Sequence, residues 1–368
     1  ALLVRSFNAL RAVDPGFDPE GVATMTFTIA QENYPERADY MQFYRTILDR
    51  VDALPGVAAV GSIRRLPFRG GGESVGFDIP GVFEPTAEEA PSVELVHVGG
   101  RLFEALGVPV LQGRVFTPED NGDAPFRVVV NEAFVRSYSP DEPLVGRPIR
   151  IGGQEVEVIG IVGDVRQAGL AEPTEPTLYV HQEQNLRIGM GIVARVEPGG
   201  DPLRIVGAMR NVVTELDADQ PVSEVASMTS VMGESIARPR FLTLLLTAVA
   251  GLAALLASVG VYGVIATVVR QRTREVGIRM ALGADRGDVV GLVIRQGMVP
   301  AALGLAAGIA VAVAASGVME SLLFQIAPLD IWAFTAAAAL VASLGLVACG
   351  LPAVRASRLE PARVLREE

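Results

Sequence analysis

FLTLLLTAVAGLAALLASVGVYGVIATVV, residues 241–269, carries no charged side chain. As a helix it is about 43 Å long at about 1.5 Å per residue, against a hydrocarbon core of about 30 Å. A core helix of a soluble protein keeps a polar stripe for its solvent face, and this stretch has none. It predicts a membrane span that crosses the bilayer and projects from one side. It also divides the chain: residues 1–240 mix strand and helix signals, whereas the blocks beyond 241 are mostly Ala, Leu, Val, Gly and Ile.

Charge follows the same division. Of the 368 residues, the first 240 hold 34 acids against 21 arginines, a balance of −13, and the rest hold 8 against 10, a balance of +2. An acidic part of that size argues against nucleic acid as a partner. All 31 Lys+Arg residues are arginine. Without lysine the chain has no Walker-type phosphate loop and no Schiff-base chemistry, so it neither hydrolyses ATP by such a site nor carries pyridoxal phosphate. The single cysteine, Cys349, lies in an apolar block and leaves no internal disulfide in the first 240 residues.

Two more apolar blocks follow, at about 289–316 and 331–354. The first opens with Arg295 and Gln296, contains Pro300, which predicts a kink, and carries Gly304 and Gly308 in a GxxxG spacing that lets helices approach closely. The second starts beside Trp332, a residue suited to the membrane interface. The connection 270–288 has five arginines, the tail 355–368 has four, and 317–330 has none. By the positive-inside rule the loop 270–288 and the tail face the cytoplasm, and the domain before 241 lies outside. The opening ALLVRSF reads as the outer end of a preceding span with its linker (1–20), giving three spans here and a fourth before residue 1. The spans hold no Asp, Glu, His or Lys in their middle, whereas ion-coupled transport usually needs such groups.

In the first part, alternation and turn signals predict strands at 22–29, 57–63, 92–98, 127–130, 155–162, 176–180 and 190–196. Helices are predicted at 36–53, 100–106, 131–138 and 202–216, with a βαβ-like opening. A helix over 227–240 is expected to run directly into the first span. The class is therefore an α+β extracytoplasmic domain followed by an all-α transmembrane domain. No GxSxG or HExxH occurs, no cofactor or metal is expected, and His97 and His181 read as ordinary surface or strand residues. TPEDNGD (117–123) reads as a solvated turn lacking calcium-loop spacing, and RGGG (69–72) as a flexible loop.

Between the first two spans stands RQRTREVGIRMALGADRGD (270–288). Val276, Ile278 and Met280 give a partial apolar face, Glu275 and Arg279 are spaced for an i,i+4 pair, and Gly283 suits a helix end. The pattern fits either a helix whose arginines meet anionic membrane lipid or a docking element for a cytoplasmic partner.

This segment resembles the intracellular segment of FtsX/MacB-type ABC transporter permeases. The tail LPAVRASRLEPARVLR and the turn SLLFQIAPLD (321–330) are similar to other signatures of that family. VDPGFDPEGV (13–22), LPGV (54–57), VVVNEAFVRSY (128–138), VGRPIRI (145–151), VIGIVGDVR (158–166) and ARPRF (237–241) resemble its MacB-like periplasmic core domain. The resemblance implies a periplasmic core domain over 21–236 and an FtsX-like permease domain over 237–368 in the cell inner membrane. It further implies the C-terminal module of a fused two-module permease. The segment would then be the coupling helix that docks a separate cytoplasmic ABC ATPase. Glu275, Val276, Arg279 and Met280 would dock, flanked by Arg272 and Arg274, and ATP-driven closure would pass to the outer domain, a mode called mechanotransmission. A second permease module and a periplasmic adaptor are implied partners. The implied function is export of a hydrophobic or amphipathic compound by a non-catalytic subunit. Within the same architecture, activation of a periplasmic peptidoglycan hydrolase and lipoprotein release stand as alternatives.

Overall fold

A computed structural model of the protein describes residues 2–29, 34, 36–70, 73–86, 91–185, 187, 189–271, 286–315 and 331–357. They form two compact units, Val13–Ala237 and a helical unit of residues 1–12 with 238–368.

The Val13–Ala237 unit is an α/β domain of two lobes. Lobe one is built from β1 (Val22–Phe27), α2 (Arg37–Asp52), β2 (Val57–Ile63), β10 (Met190–Val196), α5 (Pro202–Leu216) and β11 (Val222–Ser227). Its strand order is β11-β1-β10-β2, every pairing antiparallel. The expected βαβ opening is thus split, because β10 lies between β1 and β2. α2 forms because Tyr40, Phe43, Tyr44, Ile47 and Val51 recur at helical spacing and are all buried. α5 starts where the Asp201 carboxylate accepts from Leu203 N at 2.9 Å and Pro202 takes the first turn. Both helices pack on one face of the sheet, over a core that includes Met25, Ile47, Ile192 and Met209.

Lobe two is inserted between β2 and β10. It consists of β3 (Glu73–Asp78), β4 (Ser92–Gly100), α3 (Leu102–Leu106), β5 (Val110–Gly113), β6 (Arg127–Asn131), α4 (Glu132–Tyr138), β7 (Pro148–Ile151), β8 (Gln154–Val162) and β9 (Thr177–His181). Six of its strands close on themselves in the order β4-β3-β7-β8-β6-β9 and back to β4. The β4–β9 and β6–β8 pairings are parallel, so the sheet is mixed. Phe77, Leu95, Val128, Val130, Val158, Leu178 and Val180 fill the barrel. α4 stoppers one end. Asn131, fully buried, accepts from Phe134 N at 2.9 Å as the helix cap and from Thr177 N at 2.9 Å, tying the helix start to β9.

The lobes join where β2 pairs with β4. At that junction α3 lies on β2. A Cβ on Gly61 would stand 2.3 Å from the Leu102 backbone, so only glycine fits there.

The sequence-predicted strands and helices up to residue 216 are present with ends shifted by at most two residues. β3, β5, β7 and β11 were not predicted. The helix expected over 227–240 is two helices: α6 (Met228–Ser235), capped by Ser227, and a second that begins at Ala237 after Ile236 leaves the helical path.

The helical unit contains α1 (Leu2–Arg11), α7 (Ala237–Gln271), α8 (Arg286–Ala315) and α9 (Ile331–Ser357). Within α7, Pro239–Val268 is long and apolar enough to cross a membrane by length and composition. Leu252, Leu256 and Val259 on it stand about three-fifths exposed, which is not the environment of a soluble core helix. The apolar runs Met298–Ala314 in α8, which contains Pro300, and Phe334–Gly350 in α9 are shorter. α8 packs on α9, and Ile265 and Cys349 are buried with Val261 and Ile294 beside them.

Candidate functional site

Function in this chain must pass through the elements that join its parts, so the polar groups at those joints define the candidate site. The two apolar cores of the α/β domain share no residue. Where the lobes join, buried apolar side chains outside both cores, among them Ile63, Val98, Phe103 and Tyr179, continue the interior, and charged and polar side chains cluster beside them in a seam on the two chain segments that connect the lobes.

The first connection follows β2 and the second follows β9. Glu73, the first residue of β3, accepts from Arg64 of the first connection and from Arg187 of the second, whose Nε lies 3.2 Å from each carboxylate oxygen. Arg187 Nη1 also donates to Asn185 Oδ1 at 2.8 Å. Burial alone would raise the Glu73 carboxyl, but the two guanidiniums outweigh it and hold the group at about 2. Glu183, also in the second connection, accepts from Arg45 Nε of α2 at 2.6 Å and from Gly122 N of lobe two at 3.4 Å. Its backbone carbonyl accepts from Arg37. One carboxylate therefore holds lobe one, lobe two and the connection together.

A third carboxylate corrects a sequence expectation. The 117–123 segment is not a solvated turn at its centre: Asp120 is fully buried. It accepts from Arg114 at 2.6 and 3.0 Å, from Arg127 at 2.7 Å and from Thr117 N at 2.9 Å. These bonds overcome its desolvation and keep the carboxyl far below the ordinary range.

His97 and His181 are strand residues as expected, on the parallel pair β4 and β9, but neither is at the surface. His97 is fully buried with neither ring nitrogen hydrogen-bonded to a described residue, and His181 Nδ1 is likewise unpaired. Burial, and then the nearby Arg187 charge, push the His97 imidazole down to about 4. Burial also lowers His181. Ser62 Oγ reaches Gln182 Oε1 at 3.2 Å across the seam. Among the described residues no cluster of three His, Cys, Asp or Glu is placed to hold a metal.

The His97 shift gives a pH dependence whose sign follows from linkage. The folded state resists protonation and the unfolded state does not, so the contribution is complete above about 6.5 and is lost as pH falls from there through 4. The loss amounts to about 3 kcal/mol. Unfolding free energies of the full chain in lipid nanodiscs, taken at pH 7 and pH 4.5, should differ by nearly that amount more in the parent than in His97→Leu. Equal pH slopes for the two would contradict the assignment.

The sequence-predicted docking residues Arg272, Arg274, Glu275, Val276, Arg279 and Met280 lie outside the described residues. Gly304 and Gly308 lie in α8, and a Cβ added to either meets nothing within 4 Å. No described element of this chain packs on them. Sequence reasoning missed the Glu73, Asp120 and Glu183 nodes, since the bonded arginines are brought in by the fold: Arg45 from α2, Arg127 from β6, and Arg64, Arg114 and Arg187 from connections between elements. The only local signal was acidic residues beside strand ends.

Residues 8–212 match the family of the MacB-like periplasmic core domain, and residues 247–361 match the FtsX-like permease C-terminal family. Similar curated proteins include the macrolide export ATP-binding/permease protein MacB 1/2 of Paracoccus denitrificans (strain Pd 1222). It is 26% identical over 286 residues, covering 75% of this chain and 42% of that protein. The pyoverdine export ATP-binding/permease protein PvdT of Pseudomonas aeruginosa is also 26% identical over 286 residues, covering 74% and 42%. This chain thus spans about two-fifths of the length of those relatives. Among solved structures, the periplasmic region of MacB from Actinobacillus actinomycetemcomitans aligns with a TM-score of 0.42 at 14% identity, covering 62% of this chain and 97% of that one. The extracellular domain of YknZ from Gram-positive bacteria aligns with a TM-score of 0.37 at 12% identity, covering 55% and 100%. With a core-domain match over more than half its length and a permease match behind it, the chain belongs to the FtsX/MacB-type ABC transporter permeases, a family of inner-membrane proteins with a periplasmic domain.

Proposed function

We propose that this chain is the permease subunit that couples ATP hydrolysis by a separate cytoplasmic ABC ATPase to movement of the periplasmic domain, in the service of exporting a hydrophobic or amphipathic compound. The observation that carries the reading is the order of parts in one chain. A MacB-like core domain is followed by an uncharged helix and then by an FtsX-like permease domain. The absence of lysine supports an ATPase elsewhere, because a Walker site needs that side chain. The names of the relatives pair permease with ATP-binding function and refer to export.

In this reading residues 270–288 dock the ATPase through Glu275, Val276, Arg279 and Met280, with Arg272 and Arg274 flanking. Gly304 and Gly308 face a second permease module, with the intact protein multi-pass and a periplasmic adaptor possible as a further partner. The test is purification of the intact protein from its native membrane in mild detergent, with mass spectrometry of what accompanies it. A P-loop ATPase should co-purify, and Glu275→Arg combined with Arg279→Glu should remove at least about nine-tenths of it, the loss expected when two charge-assisted contacts reverse sign. ATPase association and activity unchanged in that double variant would overturn the docking role.

A further inference from the structure

Pro67 and Phe68 stand in the middle of a turn on the first connection between the lobes, closed by Arg69 N donating to Leu66 O at 3.1 Å. Phe68 has a φ of 69°, and it is the only left-handed residue other than glycine among the described residues. A turn with proline second and a left-handed residue third calls for glycine at that third place, and a bulky side chain there is strained. Such strain persists only where the surroundings hold it. Three contacts hold it here. Phe68 N donates to Gln167 O, between β8 and β9 of lobe two, at 2.7 Å. The buried Phe68 ring lies 5.7 Å from that of Phe17 between centroids. The next residue, Arg69, reaches Glu234 of α6 at 2.7 Å and Glu224 of β11 at 3.4 Å.

These partners sit near the two ends of the α/β unit. The chain enters the unit at Val13 and leaves it at Ala237. Phe17 lies just inside the entry, and α6 ends at Ser235, just before the exit. The entry also holds the same stretch of lobe two. Arg166 N donates to Pro15 O at 3.0 Å. A Cβ on Gly16 would stand 1.7 Å from Asp164 O, so the entry backbone is pressed against that carbonyl. The Asp164 carboxylate in turn accepts from Ala133 N at 2.7 Å and from Arg136 at 3.0 Å, on α4. We propose that Phe68–Arg69 is a strained clasp that ties both ends of the unit to lobe two and releases as one step. Glu224 and Glu234 are half exposed or more, so the Arg69 pairs are weak, and the left-handed backbone pulls against the Gln167 bond. When α6 or the entry is displaced, Phe68 leaves the left-handed region and the 164–167 stretch loses its hold on both ends. β10, whose ladder partners lie in β1 and β2, keeps its pairing. Either end thereby acts on lobe two through one residue. The inference stands on contacts within the α/β unit and does not depend on the permease reading.

Hydrogen exchange of the full chain in lipid nanodiscs, read by mass spectrometry, reports on the clasp through the amides of Phe68, Arg69 and Arg166. Glu224→Gln combined with Glu234→Gln should speed exchange in peptides covering 66–70 and 164–168 about threefold, the weight of two exposed ion pairs, and leave β10 unchanged. Gly16→Ala perturbs the other end and should speed both of the same peptides at least as much. The strain has its own readout. Phe68→Ala and Phe68→Gly both remove the ring, and glycine is ordinarily the less stable of such a pair. Here Phe68→Gly should be the more stable, by about threefold in the unfolding equilibrium constant, because only alanine keeps the strain. Exchange over 66–70 unchanged by the paired glutamate variant would overturn the clasp. So would Gly16→Ala acting on 164–168 alone, or acceleration in the glutamate variant that extends equally to β10. Phe68→Ala at least as stable as Phe68→Gly would overturn the strain.

Discussion

Replacing Asp120 with alanine lowers the unfolding free energy of the α/β domain by about 3–5 kcal/mol, the cost of removing one partner from a buried ion pair. The carboxylate is fully buried and receives two guanidiniums and the Thr117 backbone N–H. Its loss leaves Arg127, whose side chain is one-quarter exposed, with the 3.5 Å contact to Glu157 as its one remaining ion pair among the described residues. Arg114, nearly half exposed, can turn to water, which places the expected value toward the lower end of the range. Asp120→Asn should recover part of the loss, since an amide oxygen still accepts one bond. Asp123→Ala, three residues on and exposed, should change stability by less than about 0.5 kcal/mol. Urea unfolding of the full chain in nanodiscs, followed by circular dichroism, measures all three. An Asp120→Ala midpoint equal to that of Asp123→Ala would show that the node is not stabilising.

The second large effect belongs to Phe134. Its ring is fully buried in the stopper of the barrel and meets Phe77 at 4.9 Å and Tyr138 at 5.3 Å between centroids. Phe134→Ala removes the ring and opens a cavity, at about 3–5 kcal/mol. The location of the damage is as telling as its size. No Phe134 neighbour belongs to the core beneath α2 and α5. Amide exchange should therefore accelerate in β6 and β9 while β1 and β10 keep their protection. Uniform acceleration across both lobes would mean that the two cores unfold as one.

Much of the fold was legible because local pattern and final environment agree. Tyr40, Tyr44, Ile47 and Val51 recur at helical spacing and are buried together. VVV at 128–130 and VIGIV at 158–162 read as buried strands and are buried strands. The missed strands lacked such a signal. Pro148–Ile151 and Val110–Gly113 are four residues long, the second wholly exposed, and Glu73–Asp78 interleaves Gly and acids. Their strand character comes from neighbours in the ladder. The break at Ile236 did have a signal that the single-helix reading passed over: Pro239 has no N–H for the Ser235 carbonyl and sits in the first turn of the helix that begins at Ala237. The seam was the least legible part. Arg45 meets Glu183 and Arg187 meets Glu73 across 138 and 114 positions of sequence, and no periodicity encodes a pairing of that separation.

The insertion of the barrel within lobe one has a kinetic consequence. β1 cannot complete its ladder with β10 until Arg195 has been made, since Val22 is the partner of that residue. Its other edge waits longer still, for β11, whose last residue, Ser227, precedes the start of α7 at Ala237 by ten positions. The inserted barrel draws on nearer contacts and can assemble first, whereas the outer sheet depends on slow, long-range closure. As the chain emerges from synthesis, β1 and β2 therefore remain open-edged templates through the entire time that the barrel is being formed. The domain becomes whole only as the long apolar helix behind it is made, so completion of the sheet and synthesis of that helix are bound to the same moment in the life of the chain.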